Sequence, residues 1–143
     1  MNKNILVSAC LLGENCKYSG GNNKNHELLE FLKDYNVISV CPEVLGGLPT
    51  PRVPSEVVGD KVINREGKDV TDNFIKGAII TLDIVKKNNC KVAILKKNSP
   101  SCGYNGRYDG TFTSKIVPLN GITSDLLFKN GIVILNEENY RKI

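Results

Sequence analysis

The sequence predicts a small α/β sandwich with a mainly parallel, Rossmann-like sheet of about four strands. Two observations carry this prediction. Short apolar runs of strand length recur along the chain, and segments with helical periodicity separate them. Strand–helix alternation favours parallel strands joined by right-handed crossovers, so helices should cover the sheet. A length of 143 residues fits one domain, and residues 1–143 are predicted to form a single domain.

Four apolar runs supply the predicted sheet. Each is nearly continuous in apolar residues, which is typical of a parallel strand buried on both faces. They span residues 4–9, 37–40, 92–95 and 132–135. A smaller β excursion is expected at 57–64, around Gly59 and Asp60.

Three helices are predicted between the strands. The clearest spans 71–89, where apolar residues recur at a spacing of three and four, and Asp69 or Thr71 can cap its start. Shorter helices are expected at 26–34 and 124–130, the second ending at Gly131.

Glycine, proline and asparagine predict loops at 11–25, 42–54 and 104–120. The prolines of 42–54 exclude regular structure there in this interpretation and should hold Glu43 and Arg52 in place. The loop after the third strand should also be stiff, because Pro100 fixes one φ angle and Gly103 permits close backbone approach. It would present Cys102 at the carboxyl end of that strand.

Charge and hydropathy restrict the partners. The chain has 19 basic and 15 acidic residues, a net charge of +4 that suits a small anionic or polar ligand but is too weak to indicate nucleic acid. The apolar run at the N-terminus is too short for a signal peptide, and no stretch approaches the roughly 18–20 apolar residues of a membrane span. We therefore expect a cytoplasmic protein with no membrane partner. Its five cysteines then favour metal binding or catalysis over structural disulfides.

Three of the cysteines follow predicted strands: Cys10 the first, Cys41 the second and Cys102 the loop after the third. In a parallel sheet these positions share one edge. Three thiolates suit a soft metal centre. Zinc usually takes a fourth protein ligand, and His26, which begins a surface helix, is a poor candidate. A 4Fe–4S cubane held by three cysteines keeps one iron open as a Lewis acid.

Other residues near these cysteines leave alternatives open. Cys16 is a fourth ligand, a redox partner of Cys10 or a packing residue, whereas Cys90 is interpreted as packing. Glu43 is either a general base or a loop carboxylate paired with Arg52. Ser101 either relays a proton or makes a local turn bond.

Several motifs together resemble a bacterial family, formerly called a domain of unknown function, that is linked to thiouracil desulfidases. The likeness covers nearly the whole chain. The motifs lie at 8–13, 16–20, 41–49, 51–56, 99–103 and 108–112. The family usually has Arg and Asp where this chain has Lys17 and Ser19, and segment 117–123 departs from a glycine-richer form. These departures concern the substrate and the pocket rim.

The resemblance implies an iron–sulfur-dependent enzyme. A 4Fe–4S cluster on Cys10, Cys41 and Cys102 would polarise the thiocarbonyl of a small thiolated nucleobase such as thiouracil. Water prepared by Glu43, with help from the Ser101 hydroxyl, would replace the sulfur without electron transfer. The substrate-binding residues it implies are Ser8, Tyr18 and Arg52. It also implies a partner, the iron–sulfur assembly machinery.

Two other functions are compatible with the same residues. One is an iron–sulfur or metal-binding sensor or structural module without turnover. The other is a thiol redox protein that uses Cys10 and Cys16. A sensor acting on DNA would need a helix-turn-helix or a strongly basic face, and the sequence indicates neither.

Overall fold

A computed structural model describes residues 3–143 and contains the predicted parallel sheet. The strands, in chain order, are β1 (Asn4–Ser8), β2 (Asn36–Val40), β3 (Ser55–Val58), β4 (Lys61–Asn64), β5 (Val92–Ile94), β6 (Arg107–Tyr108), β7 (Ile116–Val117) and β8 (Val133–Leu135). The α-helices are α1 (His26–Phe31), α2 (Pro42–Leu45), α3 (Thr71–Lys87) and α4 (Ile122–Lys129). Short 3-10 helices cover Ala9–Leu12, Leu32–Asp34 and Tyr140–Lys142.

The main sheet has the order β2-β1-β5-β8, and all three strand pairs are parallel. Its central strand β1 is buried on both faces. Leu6 packs with Val85 of α3 and Leu127 of α4 on one face, while Ile5 packs with Leu28 of α1 on the other. The prediction of a small α/β fold with about four parallel strands is confirmed.

The prediction that 42–54 lacks regular structure is wrong for its first four residues, which form α2. Pro42 occupies the first turn of this helix, where the missing N–H costs nothing and the fixed φ is already helical. Helix α2 lies against α3 with almost no side chain between them. A Cβ at Gly77 would lie 1.9 Å from the Pro42 carbonyl oxygen, and one at Gly46 would lie 2.0 Å from that of Asn73.

Two smaller expectations also change. Segment 104–120 is not all loop, because β6 and β7 pair in it as a short antiparallel ribbon. Neither Asp69 nor Thr71 caps α3, whose N-cap residue is Val70 and has no side-chain cap bond. Asp69 instead accepts hydrogen bonds from the Thr71 N–H and hydroxyl, which closes the turn before the helix.

The remaining helical and hairpin predictions are confirmed within one to three residues, as the bounds above show, and β3 pairs with β4 around Gly59 and Asp60. Across residues 3–143, no helix combines the length and the hydropathy that a bilayer crossing requires.

Candidate active site

The carboxyl ends of β1, β2 and β5 meet at one edge of the sheet, beside a cavity of about 410 Å³. Cys10, Cys41 and Cys102 all line this cavity although they are far apart in the chain. Parallel pairing explains the convergence, because neighbouring strands that run in one direction end at one edge. The structure thus brings Cys10 and Cys41, which follow β1 and β2, together with Cys102 of the loop after β5.

Cys10 lies in the 3-10 turn that follows β1 and is 9% exposed. Asn23 holds it from the next loop: its side-chain amide donates to Cys10 Sγ at 3.5 Å, and its backbone N–H donates to the Cys10 carbonyl oxygen at 2.9 Å. Burial raises the pKa of the Cys10 thiol, and the Asn23 hydrogen bond opposes this effect.

Cys41 is the N-cap residue of α2, so the contact of α2 with α3 fixes its position. Its pKa is lowered to about 6, first by a hydrogen bond from the Cys16 thiol and then by the Val44 backbone N–H and the Arg52 guanidinium. Cys16 holds the proton of this pair, and the bond to Cys41 raises its own pKa. Burial opposes these three donors, and the Cys41 thiol also lies 3.6 Å from the Cys16 carbonyl oxygen, to which it can donate when protonated.

The Cys102 loop is seated on the N-terminus of α4. Carbonyl oxygens of Pro100 and Ser101 accept hydrogen bonds from the backbone N–H groups of Ile122 and Thr123, at 3.0 and 2.9 Å. These are N–H groups that no earlier helical turn can satisfy. Glycine is required after Cys102, because a Cβ at position 103 would lie 2.3 Å from the Gly106 carbonyl oxygen.

Ser8 connects the Cys102 thiol to the sheet. Its Oγ accepts a hydrogen bond from the Lys96 backbone N–H at 2.9 Å, and its hydroxyl lies in hydrogen-bond contact with the thiol of Cys102. Cys102 is 6% exposed, and burial raises its pKa, with the Ser8 bond as an opposing effect. Ser8 itself is buried at the cavity wall.

The donor set fits an iron–sulfur group. The three thiols interact electrostatically: Cys41 raises the pKa of Cys10, and both raise that of Cys102. Several thiolates at one cavity therefore need a soft cation as a counter-charge. No three His, Cys, Asp or Glu side chains within 3–143 are grouped closely enough to hold a single metal ion. A cubane takes one thiolate on each of several irons, so its ligands need not share one coordination sphere.

Arg52 connects the loops around Cys41. Its Nε donates to Glu43 Oε1 at 3.1 Å, and its Nη2 donates to the Cys16 carbonyl oxygen at 2.8 Å and to Cys41 Sγ at 3.9 Å. Nη1 donates to the Pro49 carbonyl oxygen and to Thr50 Oγ1. All five N–H bonds of the guanidinium are thus directed at protein atoms, although Arg52 lines the cavity.

Glu43 also lines the cavity, on the first turn of α2. Burial raises its pKa, and the charge and hydrogen bond of Arg52 act in the opposite direction. Tyr18 lies at the cavity rim with 49% of its surface exposed, and its carbonyl oxygen accepts from the Arg52 backbone N–H at 2.7 Å.

Ser101 is placed apart from the other predicted site residues. It is fully buried, it is absent from the cavity lining, and its hydroxyl lies 2.6 Å from Thr123 Oγ1 on α4. The contact ties the Cys102 loop to α4 a second time. Its predicted part in proton movement stays a prediction.

The sequence predicts no role for Lys96 and Glu56, which also line the cavity. Lys96 forms an ion pair with Glu137 at 2.8 Å, and its position at the end of a strand was a usable signal. Glu56 stands inside one of the quoted motifs and is buried at the cavity. Cys16 contacts Cys41, which no spacing rule could have indicated.

Comparison with known proteins adds three findings. A family model described as 2-thiouracil desulfurase matches residues 5–139. A Bacillus subtilis (strain 168) protein, "Uncharacterized protein YbbK", is 36% identical over 149 residues, covering 97% of this chain and 99% of that protein. The solved structure of a [4Fe-4S]-dependent thiouracil desulfidase, TudS, is similar with a TM-score of 0.93 at 36% identity, covering 99% of this chain and 95% of that one.

Proposed function

The chain belongs to the 2-thiouracil desulfurase family, and on that premise we propose that it is an iron–sulfur-dependent enzyme that removes sulfur from a thiolated pyrimidine such as thiouracil. The reaction consumes one water and yields uracil and sulfide. Sulfur leaves at its original oxidation level, so no electron donor is needed.

The observation that carries this proposal is the convergence of Cys10, Cys41 and Cys102 on one cavity. We propose that these three thiolates hold a 4Fe–4S cluster, the cofactor named for the similar TudS structure. With only three protein ligands, such a cluster supplies an open iron that acts as a soft Lewis acid toward a thiocarbonyl sulfur.

Glu43 is proposed to prepare the attacking water. Its carboxylate faces the cavity two residues after Cys41, and Arg52 fixes its Oε1. Glu43 takes one proton from water while the water oxygen bonds to the thiocarbonyl carbon. The C–S bond then breaks with its electron pair on sulfur, and the leaving sulfide takes up the remaining water proton and the proton held by Glu43, which leaves a carbonyl. A carboxylate suits this role because a hard oxygen donor competes poorly with thiolates for iron.

The other predicted site residues support this arrangement. We assign to Ser8 the orientation of the Cys102 thiolate, and to Tyr18 a contact with substrate at the rim. Arg52 acts in this proposal by positioning Glu43 and Cys41, since its N–H groups are directed at protein atoms. The substrate contacts predicted for Ser8 and Arg52 stay predictions. Ser101 supports the Cys102 loop through Thr123.

We further propose that the iron–sulfur assembly machinery loads the cluster and that the protein works in the cytoplasm as one desulfidase-like domain over residues 1–143. All five cysteines are free thiols in the structure, the state that a reducing compartment maintains.

Sulfide release from 2-thiouracil by anaerobically purified protein tests the proposal. We expect turnover by the wild type and by Cys90→Ala, and none by Cys102→Ala, because Cys90 is a buried core residue away from the cavity. Iron binding without sulfide release would instead support a sensor or structural module.

A further inference from the structure

Two motifs noted in the sequence, at 51–56 and 108–112, meet in the structure through one carboxylate. Glu56 Oε1 accepts hydrogen bonds from the backbone N–H of Gly110 at 3.0 Å and of Phe112 at 3.2 Å. Glu56 is 7% exposed and lies on the cavity lining. The mechanism above does not use this carboxylate.

The second carboxylate oxygen of Glu56 is not engaged by the described protein atoms. Within residues 3–143, Oε2 has no hydrogen-bond donor. The side-chain polar atoms in that range that are both sealed from solvent and without a partner are Arg107 Nε and Tyr140 Oη. Glu56 Oε2 is not one of them, so it reaches accessible space, and the cavity is the space that Glu56 lines.

The turn that Oε1 holds is built to fix the orientation of Glu56. Gly110 has a φ of 95°, and a Cβ there would lie 2.7 Å from the Val57 carbonyl oxygen, so the turn sits directly on β3. Asp109 Oδ1 accepts from the Thr111 N–H and hydroxyl, which closes the turn. With Oε1 committed to two backbone amides, the direction of Oε2 is set before a ligand arrives.

We propose that Glu56 Oε2 accepts a hydrogen bond from a ring N–H of the pyrimidine, which makes Glu56 a specificity-determining residue. This inference rests on the proposed function. Uracil and thiouracil carry N–H donors beside their carbonyl or thiocarbonyl groups, and a charged acceptor binds such donors strongly. Glu43 is the other carboxylate that lines the cavity; it is partly exposed, and its Oε1 is taken by Arg52. A ligand without the N–H leaves a buried carboxylate oxygen unpaired, which is the strongest form of discrimination by hydrogen bonding.

Equilibrium binding of uracil, 1-methyluracil and 3-methyluracil tests the inference without turnover. Isothermal titration calorimetry is performed anaerobically on iron-loaded wild type, Glu56→Gln and the control Glu30→Gln, whose carboxylate is exposed and paired with Lys33. The glutamine keeps an oxygen for the Gly110 and Phe112 amides but replaces Oε2 with a donor. Wild type should bind one of the two methyluracils at least roughly ten-fold more weakly than uracil. Glu56→Gln should bind uracil roughly ten-fold more weakly than wild type does, and it should no longer distinguish uracil from that methyluracil.

Three results would overturn the inference. Glu56→Gln and wild type bind uracil equally well, the wild type binds all three ligands equally well, or the wild type does not bind uracil. Sulfide release from thiouracil by the wild type is measured in parallel, and it tests the proposed function independently of the binding data. Sulfide release with unchanged uracil binding in Glu56→Gln would reject the role of Glu56 and leave the desulfidase proposal standing.

Discussion

Arg52 and Glu43 form an ion pair at 3.1 Å whose side chains are 5% and 17% exposed. The same guanidinium reaches Cys41 Sγ and the Cys16 carbonyl oxygen. A proposed base and a proposed cluster ligand are thus held by one cation. Removing that cation should affect both stability and chemistry.

Replacing Arg52 with methionine should lower the free energy of unfolding by about 3–5 kcal/mol, because Glu43 would keep its burial without its partner. The control is Arg141→Met, which breaks an ion pair with Glu27 whose side chains are 64% and 78% exposed and should cost about 0–1 kcal/mol. Chemical denaturation measures both. A double variant with Glu43→Gln should recover part of the loss; equal losses for Arg52→Met and Arg141→Met would show that the Arg52 pair contributes no more than a surface contact.

Gly77→Ala should destabilise the protein by roughly 1–3 kcal/mol and reduce its iron content. The added methyl group would meet the Pro42 carbonyl oxygen, so α2 must move and carry Cys41 with it. Lys76→Ala, on the exposed neighbouring position of α3, should change stability by less than about 0.5 kcal/mol. Normal iron content in a destabilised Gly77→Ala would mean that α2 does not position Cys41.

Ser101→Ala and Thr123→Val should each cost about 1–3 kcal/mol of stability, because each leaves one buried hydroxyl or its partner unpaired. The double variant should cost less than the sum of the two. Sulfide release separates structure from chemistry: a proton-handling Ser101 predicts that Ser101→Ala lowers kcat well below that of Thr123→Val. Equal kcat values in the two variants would restrict Ser101 to holding the Cys102 loop.

The stability of the turn at 109–112, which Glu56 holds, should depend on pH. Hydrogen bonds from the Thr111 hydroxyl and N–H lower the pKa of Asp109 below its usual value of 3.8. A depressed folded-state pKa contributes stability above the unfolded pKa and loses it as pH falls through the folded value. Amide NMR shifts of Thr111 should therefore change below pH 3.8, and Asp109→Asn should remove the transition. A transition centred at or above 3.8 would show that these bonds do not favour the carboxylate.

The sheet was predictable from sequence because its strands are short, continuous apolar runs. Residues 4–9 and 92–95 give that pattern with no competing helical period, and pairing then follows from the alternation with helices. The same pattern predicts Cys10 and Cys41 directly after strands and Cys102 in the loop after the third strand. Helix α2 is hard to predict because prolines usually interrupt regular structure, whereas Pro42 occupies the first turn of a helix, where proline is tolerated.

Long-range contacts of loop residues cannot be predicted from the sequence alone. Nothing in the spacing of Cys16 and Cys41, or of Glu56 and Gly110, indicates that they meet, because each contact depends on how a loop folds back onto a distant element, the start of α2 in one case and β3 in the other. Ser101 is the opposite case, a residue next to Cys102 in sequence that does not share its cavity. Its hydroxyl contacts Thr123 on α4 instead.

Iron and acid-labile sulfide content after anaerobic purification tests the central claim most directly, namely that three distant cysteines hold one cluster. The wild type and Cys90→Ala should each contain about four irons and four sulfides per chain. Cys10→Ala, Cys41→Ala and Cys102→Ala should each lose most of both while remaining folded. A wild type without iron, or full iron retention in all three cysteine variants, would contradict the account.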